Sequence, residues 1–203
     1  MRLGVFGGSF DPVHLGHLLL AQCCQEQVRL DRVVFIPAGH APHKPDAPRA
    51  GGADRVAMLQ LALKDRPPWE ISAIELDRGG RSYTVDTLRE LRAQQPGAEL
   101  YLLMGADSLA DLPKWREPAA ICELATPLAV RRAGSPEPDY GALAQLVAPA
   151  RVAEIRGQQV EMPPAPISSS EIRRRIAAGE PWQDLVPAAV ASYILEHRLY
   201  GAA

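Results

Sequence analysis

Cysteine is scarce in this chain, and so is net charge. Three cysteines occur among 203 residues: Cys23, Cys24 and Cys122. The number is odd, two are adjacent and no C-x-x-C is present, which argues against a disulfide framework and for a reducing cytoplasm. Lys and Arg total 22 against 24 Asp and Glu, a formal charge of -2. So balanced a chain shows no sign of general nucleic-acid or membrane-surface binding, and any polyanion site must be local. No apolar run approaches the ~18 residues of a membrane span. Met1 leads straight into a strand-like run, without the charged, apolar and small-residue order of a secretory leader. Neither an internal repeat nor a linker that would divide the chain is visible.

What the chain does have is an ordinary globular make-up, 47% hydrophobic and 23% charged. Its length suffices for one compact α/β domain. The most informative stretch is Gly7-Gly8-Ser9-Phe10-Asp11-Pro12-Val13-His14-Leu15-Gly16-His17. It follows the apolar Leu3-Gly4-Val5-Phe6 and runs into Leu18-Leu19-Leu20-Ala21. This order predicts a buried strand, a glycine turn, then a helix over residues 14–28. In an open parallel sheet the carboxyl end of such a strand is where a ligand binds. Glycines let the backbone approach that ligand, and a helix N-terminus offers unpaired N–H groups suited to phosphate.

The rest of the chain extends the pattern. Residues 32–37 read as a buried parallel strand, closing a βαβ unit. Residues 38–53 hold three prolines and three glycines and form a long loop carrying His40, His43 and Lys44. Such a loop is usually functional or mobile. Asp54 can cap a helix through residue 63. Residues 69–76 alternate apolar and polar, which predicts a strand. A helix opening at Ser82-Tyr83-Thr84 ends near Pro96-Gly97. The continuous apolar run of residues 100–104 is the best candidate for a central strand, ending at Gly105-Ala106-Asp107-Ser108 before a short helix. A helix over 119–124, a strand over 128–130, a helix over 143–147 and weaker strands over 152–155 and 159–162 follow. The rigid Pro163-Pro164-Ala165-Pro166 precedes Ile167-Ser168-Ser169-Ser170-Glu171-Ile172-Arg173, where Ser168 and Glu171 fit a capping box. The expected fold is α/β: a doubly wound, mostly parallel sheet with helices on both faces and a small C-terminal helical part over residues 163–203.

His14 and His17 lie three apart and would share a helix face. Taken alone they admit three readings: a capped helix start, a metal pair, or donors beside a phosphate cradle. Zinc needs at least a third protein ligand, and no nearby Cys, Asp or Glu has motif spacing. Asp11 lies in the turn, where only a structure can place it. Ser168, Ser169 and Ser170 with Arg173 make either an ordinary N-cap before a solvated basic face or a second anion site.

These residues carry a resemblance. The first stretch, with its H-x-G-H, is similar to the signature of the nucleotidylyltransferase superfamily. Ile167-Ser168-Ser169-Ser170-x-Ile172-Arg173 resembles that superfamily's second motif. Two motifs ~150 residues apart in the right order are far more specific than either alone. Pro42-His43-Lys44, Ser82-Tyr83-Thr84, Gly105-Ala106-Asp107-Ser108-Leu109, Trp115 and the tail around Leu185-Val186-Pro187 and Tyr193-Ile194 resemble bacterial nicotinate-nucleotide adenylyltransferases along nearly the whole chain. His40 and Ala41 stand where that family often has Asn and Pro. Arg116 stands where it often has an aromatic or polar residue.

The resemblance implies a Rossmann-like fold, with residues 1–162 as core and 163–203 carrying the second motif. It implies transfer of the adenylyl group of ATP to nicotinate mononucleotide, with Mg²⁺ carried mainly on the ATP phosphates. His14, His17, Lys44 and Arg173 would be catalytic. Gly8, Ser9, Phe10, Gly16, Gly105, Asp107, Ile167, Ser168, Ser169 and Ser170 would hold ATP, with Asp107 on its ribose. His43, Thr84 and Trp115 would line the mononucleotide pocket, while Trp69 and Trp182 read as structural. A homo-oligomer stays open. So do a sister transferase acting on nicotinamide mononucleotide or phosphopantetheine, and a non-catalytic nucleotide-binding domain.

Overall fold

The computed structural model describes residues 1–39, 49–66 and 68–202. His40, Ala41, His43 and Lys44 lie outside the described residues. The chain starts with strand β1 (Arg2–Gly8), helix α1 (Leu15–Val28) and strand β2 (Arg32–Pro37), the βαβ unit read from the sequence. Helix α2 (Gly52–Leu63), strand β3 (Trp69–Ile71), helix α3 (Ile74–Arg78) and helix α4 (Thr84–Gln94) follow. Strand β4 (Glu99–Gly105) leads through helices α5 (Ala106–Asp111) and α6 (Pro118–Leu124) to strand β5 (Ala125–Arg132). Helix α7 (Pro149–Gly157), strand β6 (Val160–Met162) and helices α8 (Ser169–Ala178) and α9 (Ala188–Glu196) complete the regular elements. The strands form one sheet in the order β3-β2-β1-β4-β5-β6, and every pairing is parallel.

Both faces of the sheet are covered, as period-2 alternation in each strand requires. Phe6, Val33, Phe35, Tyr101, Leu103, Leu128 and Val130 join one apolar cluster with residues of α1, α2, α8 and α9. Val5, Val34, Ile36, Leu100, Leu102 and Met104 join the other, with residues of α4, α5, α6 and α7. Leu15, an apolar residue at the start of α1, is 38% exposed. Trp182 is buried in the first cluster, and Trp69 donates its indole N–H to Gln25 Oε1 at 2.7 Å. All three cysteines are buried and unbridged. Burial pushes the Cys122 thiol up to about 11, so it stays protonated. Among the described residues no helix is long and apolar enough to cross a membrane.

Several boundaries differ from expectation. The strand expected over 69–76 stops at Ile71, and residues 74–78 are helical. Ser72 N–H still donates to Phe35 O at 3.0 Å. The next ladder bond would need an N–H from Pro37, which has none. Residues 152–155 lie inside α7 rather than in a strand: Pro149 starts that helix, and Arg151 is held by Cys122 O, Ala125 O and Thr126 Oγ1. The helix expected over 143–147 is a short 3-10 turn, Gly141–Gln145. α2 begins at Gly52, before the expected cap Asp54, whose carboxylate accepts from the Tyr193 hydroxyl at 3.0 Å. Asp107 lies in the first turn of α5 rather than ahead of it.

Candidate active site

β1 lies between β2 and β4, so the crossovers leave it in opposite directions. Its carboxyl end is the switch point of the sheet, where a crevice opens. A cavity of ≈ 240 Å³ occupies it, walled by the ends of β1 and β4, the start of α4 and residues 115 and 116. Gly8, Ser9, Thr84, Gly105 and Trp115 all line this cavity.

The turn after β1 is tightly built. Phe10 is fully buried with φ 46°, and its ring sits where a side chain at position 8 would go, 2.9 Å from an ideal Cβ there. Only glycine fits that close approach. Glycine also leaves room at position 16, where a Cβ would stand 3.1 Å from the His14 ring and press on it. The ring can therefore fold back over the helix start.

His14 is the N-cap of α1, and its Nδ1 accepts from His17 N–H at 3.3 Å. His17 Nδ1 accepts in turn from His14 N–H at 3.3 Å. Two imidazoles thus form a reciprocal capping box, and their rings stack with centroids 3.7 Å apart. An Nδ1 that accepts must be unprotonated, so a neutral imidazole in this box carries its proton on Nε2. His14 is only 6% exposed. Burial first, and the Arg132 charge at the end of β5 second, lower its pKa from 6.5 to about 4. His17 packs its edge against Phe6, a cavity-lining residue, and Phe10.

The second sequence motif docks onto the first. Ser168 caps α8 by accepting from Glu171 N–H at 3.2 Å. The other half of the expected capping box does not form, because Glu171 instead binds Arg174 and Arg175. Those two guanidinium groups hold its carboxyl near 2. Ser169 Oγ donates to Pro12 O at 3.0 Å. Arg173 Nη1 donates to Asp11 O at 2.7 Å and lies 3.6 Å from the Asp11 carboxylate. Its Nη2 is 3.4 Å from Ser170 Oγ, and its buried Nε has no partner among the described residues. Ile167 Cβ lies 3.6 Å from the Cβ position of Gly16.

The predicted residues therefore fall into two adjoining groups. Gly8, Ser9, Gly105, Thr84 and Trp115 share the cavity. His14, Gly16, Ile167, Ser169 and Arg173 gather around the turn, with Ser168 and Ser170 at the same helix start. Asp107 is exposed two residues beyond Gly105, at the carboxyl edge but outside the cavity wall.

Other residues emerge only in three dimensions. Buried Arg55 donates to Ser9 O and Ala38 O, tying the turn to the end of β2. Glu75, also buried, lines the cavity and accepts from Thr87 Oγ1 at 2.8 Å and Gly39 N–H at 3.3 Å. Arg116 lines the same cavity, 4.6 Å above the Tyr83 ring, with Asp86 and Glu117 carboxylates 3.8 and 3.7 Å away. Arg55 leaves one faint sequence signal, a charge on the apolar side of a predicted helix. Glu75 leaves none, since alternation puts it on the wetter face of a strand.

Residues 5–175 match the family described as cytidylyltransferase-like. A protein of Thermomicrobium roseum described as "Probable nicotinate-nucleotide adenylyltransferase" is 46% identical over 98% of this chain and 91% of its own length. One of Thermus thermophilus with the same description is 45% identical, over 98% and 100%. The solved nicotinic acid mononucleotide adenylyltransferase of Plasmodium falciparum shares the fold, with a TM-score of 0.74 at 14% identity over 100% of this chain and 98% of that one. With identity of this order over nearly its whole length, the chain belongs to the nicotinate-nucleotide adenylyltransferase family of cytidylyltransferase-like enzymes.

Proposed function

We propose that this enzyme transfers the adenylyl group of ATP to the 5′-phosphate of nicotinate mononucleotide, giving deamido-NAD and pyrophosphate. The observation that carries the reading is the docking of α8 onto the opening turn, through Ser169 on Pro12 and Arg173 on Asp11. It brings two helix N-termini, two imidazoles and an arginine together beside one crevice. That concentration of N–H donors suits a polyphosphate chain.

The reaction demands little covalent help. The nucleophile is an oxygen of an already anionic phosphate, so no general base is needed. As it bonds to the α-phosphorus, the bond from that phosphorus to the bridging oxygen breaks, and the electron pair leaves with pyrophosphate. Catalysis is then positioning and charge stabilisation. The Nε2–H groups of His14 and His17 would donate to phosphate oxygens as charge spreads over them. A pKa of about 4 makes His14 a hydrogen-bond donor at neutral pH rather than a proton source. Backbone N–H groups of Gly8, Ser9 and Phe10, with the start of α1, would cradle one phosphate. Ser168, Ser169, Ser170 and the remaining N–H groups of Arg173 would hold the β- and γ-phosphates. Asp107 would accept from the ATP ribose, and Lys44 and His43 would approach from the loop.

Thr84 and Trp115 would bound the nicotinate ring, where a stacked aromatic contributes on the order of 1–3 kcal/mol. Arg116 places a cation on the same wall, which favours a ring carrying a carboxylate over one carrying an amide. Among the described residues no group of three or more His, Cys, Asp or Glu is arranged to hold a metal. Mg²⁺, carried mainly on the ATP phosphates, would supply charge neutralisation when bound.

The test is pyrophosphate release from ATP and Mg²⁺ with three acceptors in turn: nicotinate mononucleotide, nicotinamide mononucleotide and phosphopantetheine. Fastest release with the first is expected. A preference for either other acceptor overturns the substrate assignment, and no release with any overturns the reaction.

A further inference from the structure

Tyr200 sits in a 3-10 turn, Leu199–Gly201, remote in sequence from both motifs. Its ring packs against the core that α8 and α9 share with α1. Its hydroxyl donates to Asp11 Oδ1 at 2.7 Å, across 189 residues. Asp11 is 2% exposed. The same carboxylate accepts from Arg49 N–H at 2.8 Å and Ala50 N–H at 3.0 Å, and faces Arg173 at 3.6 Å. Three distant pieces of chain therefore close on one side chain, three residues ahead of His14.

Both partners of this contact sit beside costly backbone. Phe10, next to Asp11, has φ 46°, while Arg198 and Tyr200 have φ 50° and 61°. Non-glycine residues stay in that left-handed region only where their surroundings over-determine them, and such sites cluster around function. Burial, followed by the hydrogen bond to Asp11, raises the Tyr200 pKa. The hydroxyl thus keeps its proton and remains a donor.

We propose that Tyr200 is a positioning residue for the adenylyl transfer proposed above, on which this inference rests. Its hydroxyl braces Asp11, and through Asp11 it fixes both Arg173 and the turn that carries the phosphate-facing N–H groups and His14. Donors aimed at developing charge are effective only when held in place beforehand. Loosening them costs turnover. It does not cost binding of the nicotinate end, proposed at Thr84, Trp115 and Arg116 in a cavity lined by neither Asp11 nor Tyr200.

The test is Tyr200→Phe in the full chain, which removes one oxygen and keeps the ring. The expected result is a fall in kcat of about tenfold, with KM for nicotinate mononucleotide within about twofold of the parent. Ile155→Val, in the apolar cluster on the opposite face of the sheet, controls for lost stability and is expected to leave kcat unchanged. Because Tyr200 acts through Asp11 on Arg173, Tyr200→Phe combined with Arg173→Lys should lose less than the product of the single losses. An unchanged kcat in Tyr200→Phe, a loss matched by Ile155→Val, or full multiplicativity each overturn the brace. One readout does not depend on the reaction: NMR titration of the His14 ring, which Arg132 faces. Its pKa should rise from about 4 toward 6.5 in Tyr200→Phe as water enters the turn. An unmoved His14 titration overturns the brace even if the parent protein proves inactive toward every acceptor, a result that would separately overturn the reaction.

Discussion

Each imidazole at the opening turn spends its Nδ1 on the backbone, and that decides what the ring can still do. Nε2–H is then the ring's donor, and it is the group proposed to meet a phosphate. His17→Ala should therefore lower kcat by about two orders of magnitude or more while circular dichroism shows an intact fold; near-normal turnover would remove His17 from the mechanism. His14 makes a separate prediction about stability. Its pKa lies at about 4 in the folded chain against 6.5 unfolded, so between those values the unfolded chain binds more protons. Stability should be full above about pH 6.5 and fall as pH drops toward 4, by about 3 kcal/mol in all. Urea midpoints measured across that range check it, and a His14→Gln variant should flatten the slope. Arg116→Ala should raise KM for nicotinate mononucleotide several-fold with little change in kcat, since the charge lost lies on the cavity wall proposed to hold the nicotinate ring; steady-state kinetics with each substrate varied separate the two effects. At this scale the sequence reveals what local spacing carries. Gly8, His14, Gly16 and His17 are legible because their partners are neighbours in the chain. Asp11, Arg55, Glu75 and Tyr200 are not, because their partners stand up to 189 residues away.

Two helix starts do the work at the scale of elements, and each is capped by a residue of its own motif. Ser168→Ala should remove the cap of α8 and destabilise the fold by about 1 kcal/mol, read from urea unfolding. It should also lower activity, because the same turn presents Ser169 and Ser170. Most elements can be read from periodicity: β1, α1, β2 and β4 fall within a residue or two of expectation. The exceptions have particular causes. β3 ends where Pro37 on its neighbour cannot donate, and alternation within residues 69–76 holds no trace of that. Val152 and Ile155 have strand-like side chains, but they are three apart, and the contacts of Arg151 with Cys122, Ala125 and Thr126 settle a helix there. In both places a partner strand or helix overrides local preference.

The whole molecule is a frame that brings the carboxyl ends of β1 and β4 together and then folds its last fifth back onto the turn after β1. Strand order alone creates the crevice. α8 docks its N-terminus onto the turn beside that crevice, and the Leu199–Gly201 turn holds Asp11. The doubly wound topology was readable from strands alternating with helices, as was the pairing of the two motifs. The return of the C-terminal segment to Asp11 was not, since hydroxyl-to-carboxylate contacts over such separations leave no periodic signature. Direct transfer of the adenylyl group from ATP to the mononucleotide is the reaction proposed for this site. The measurement that addresses it most directly is product analysis with ATP labelled at the α-phosphorus, in the presence of nicotinate mononucleotide. The expected result is label in deamido-NAD in equal amount to the pyrophosphate released, with none retained on the protein. Label bound covalently to the protein, or pyrophosphate released without labelled dinucleotide, would contradict it.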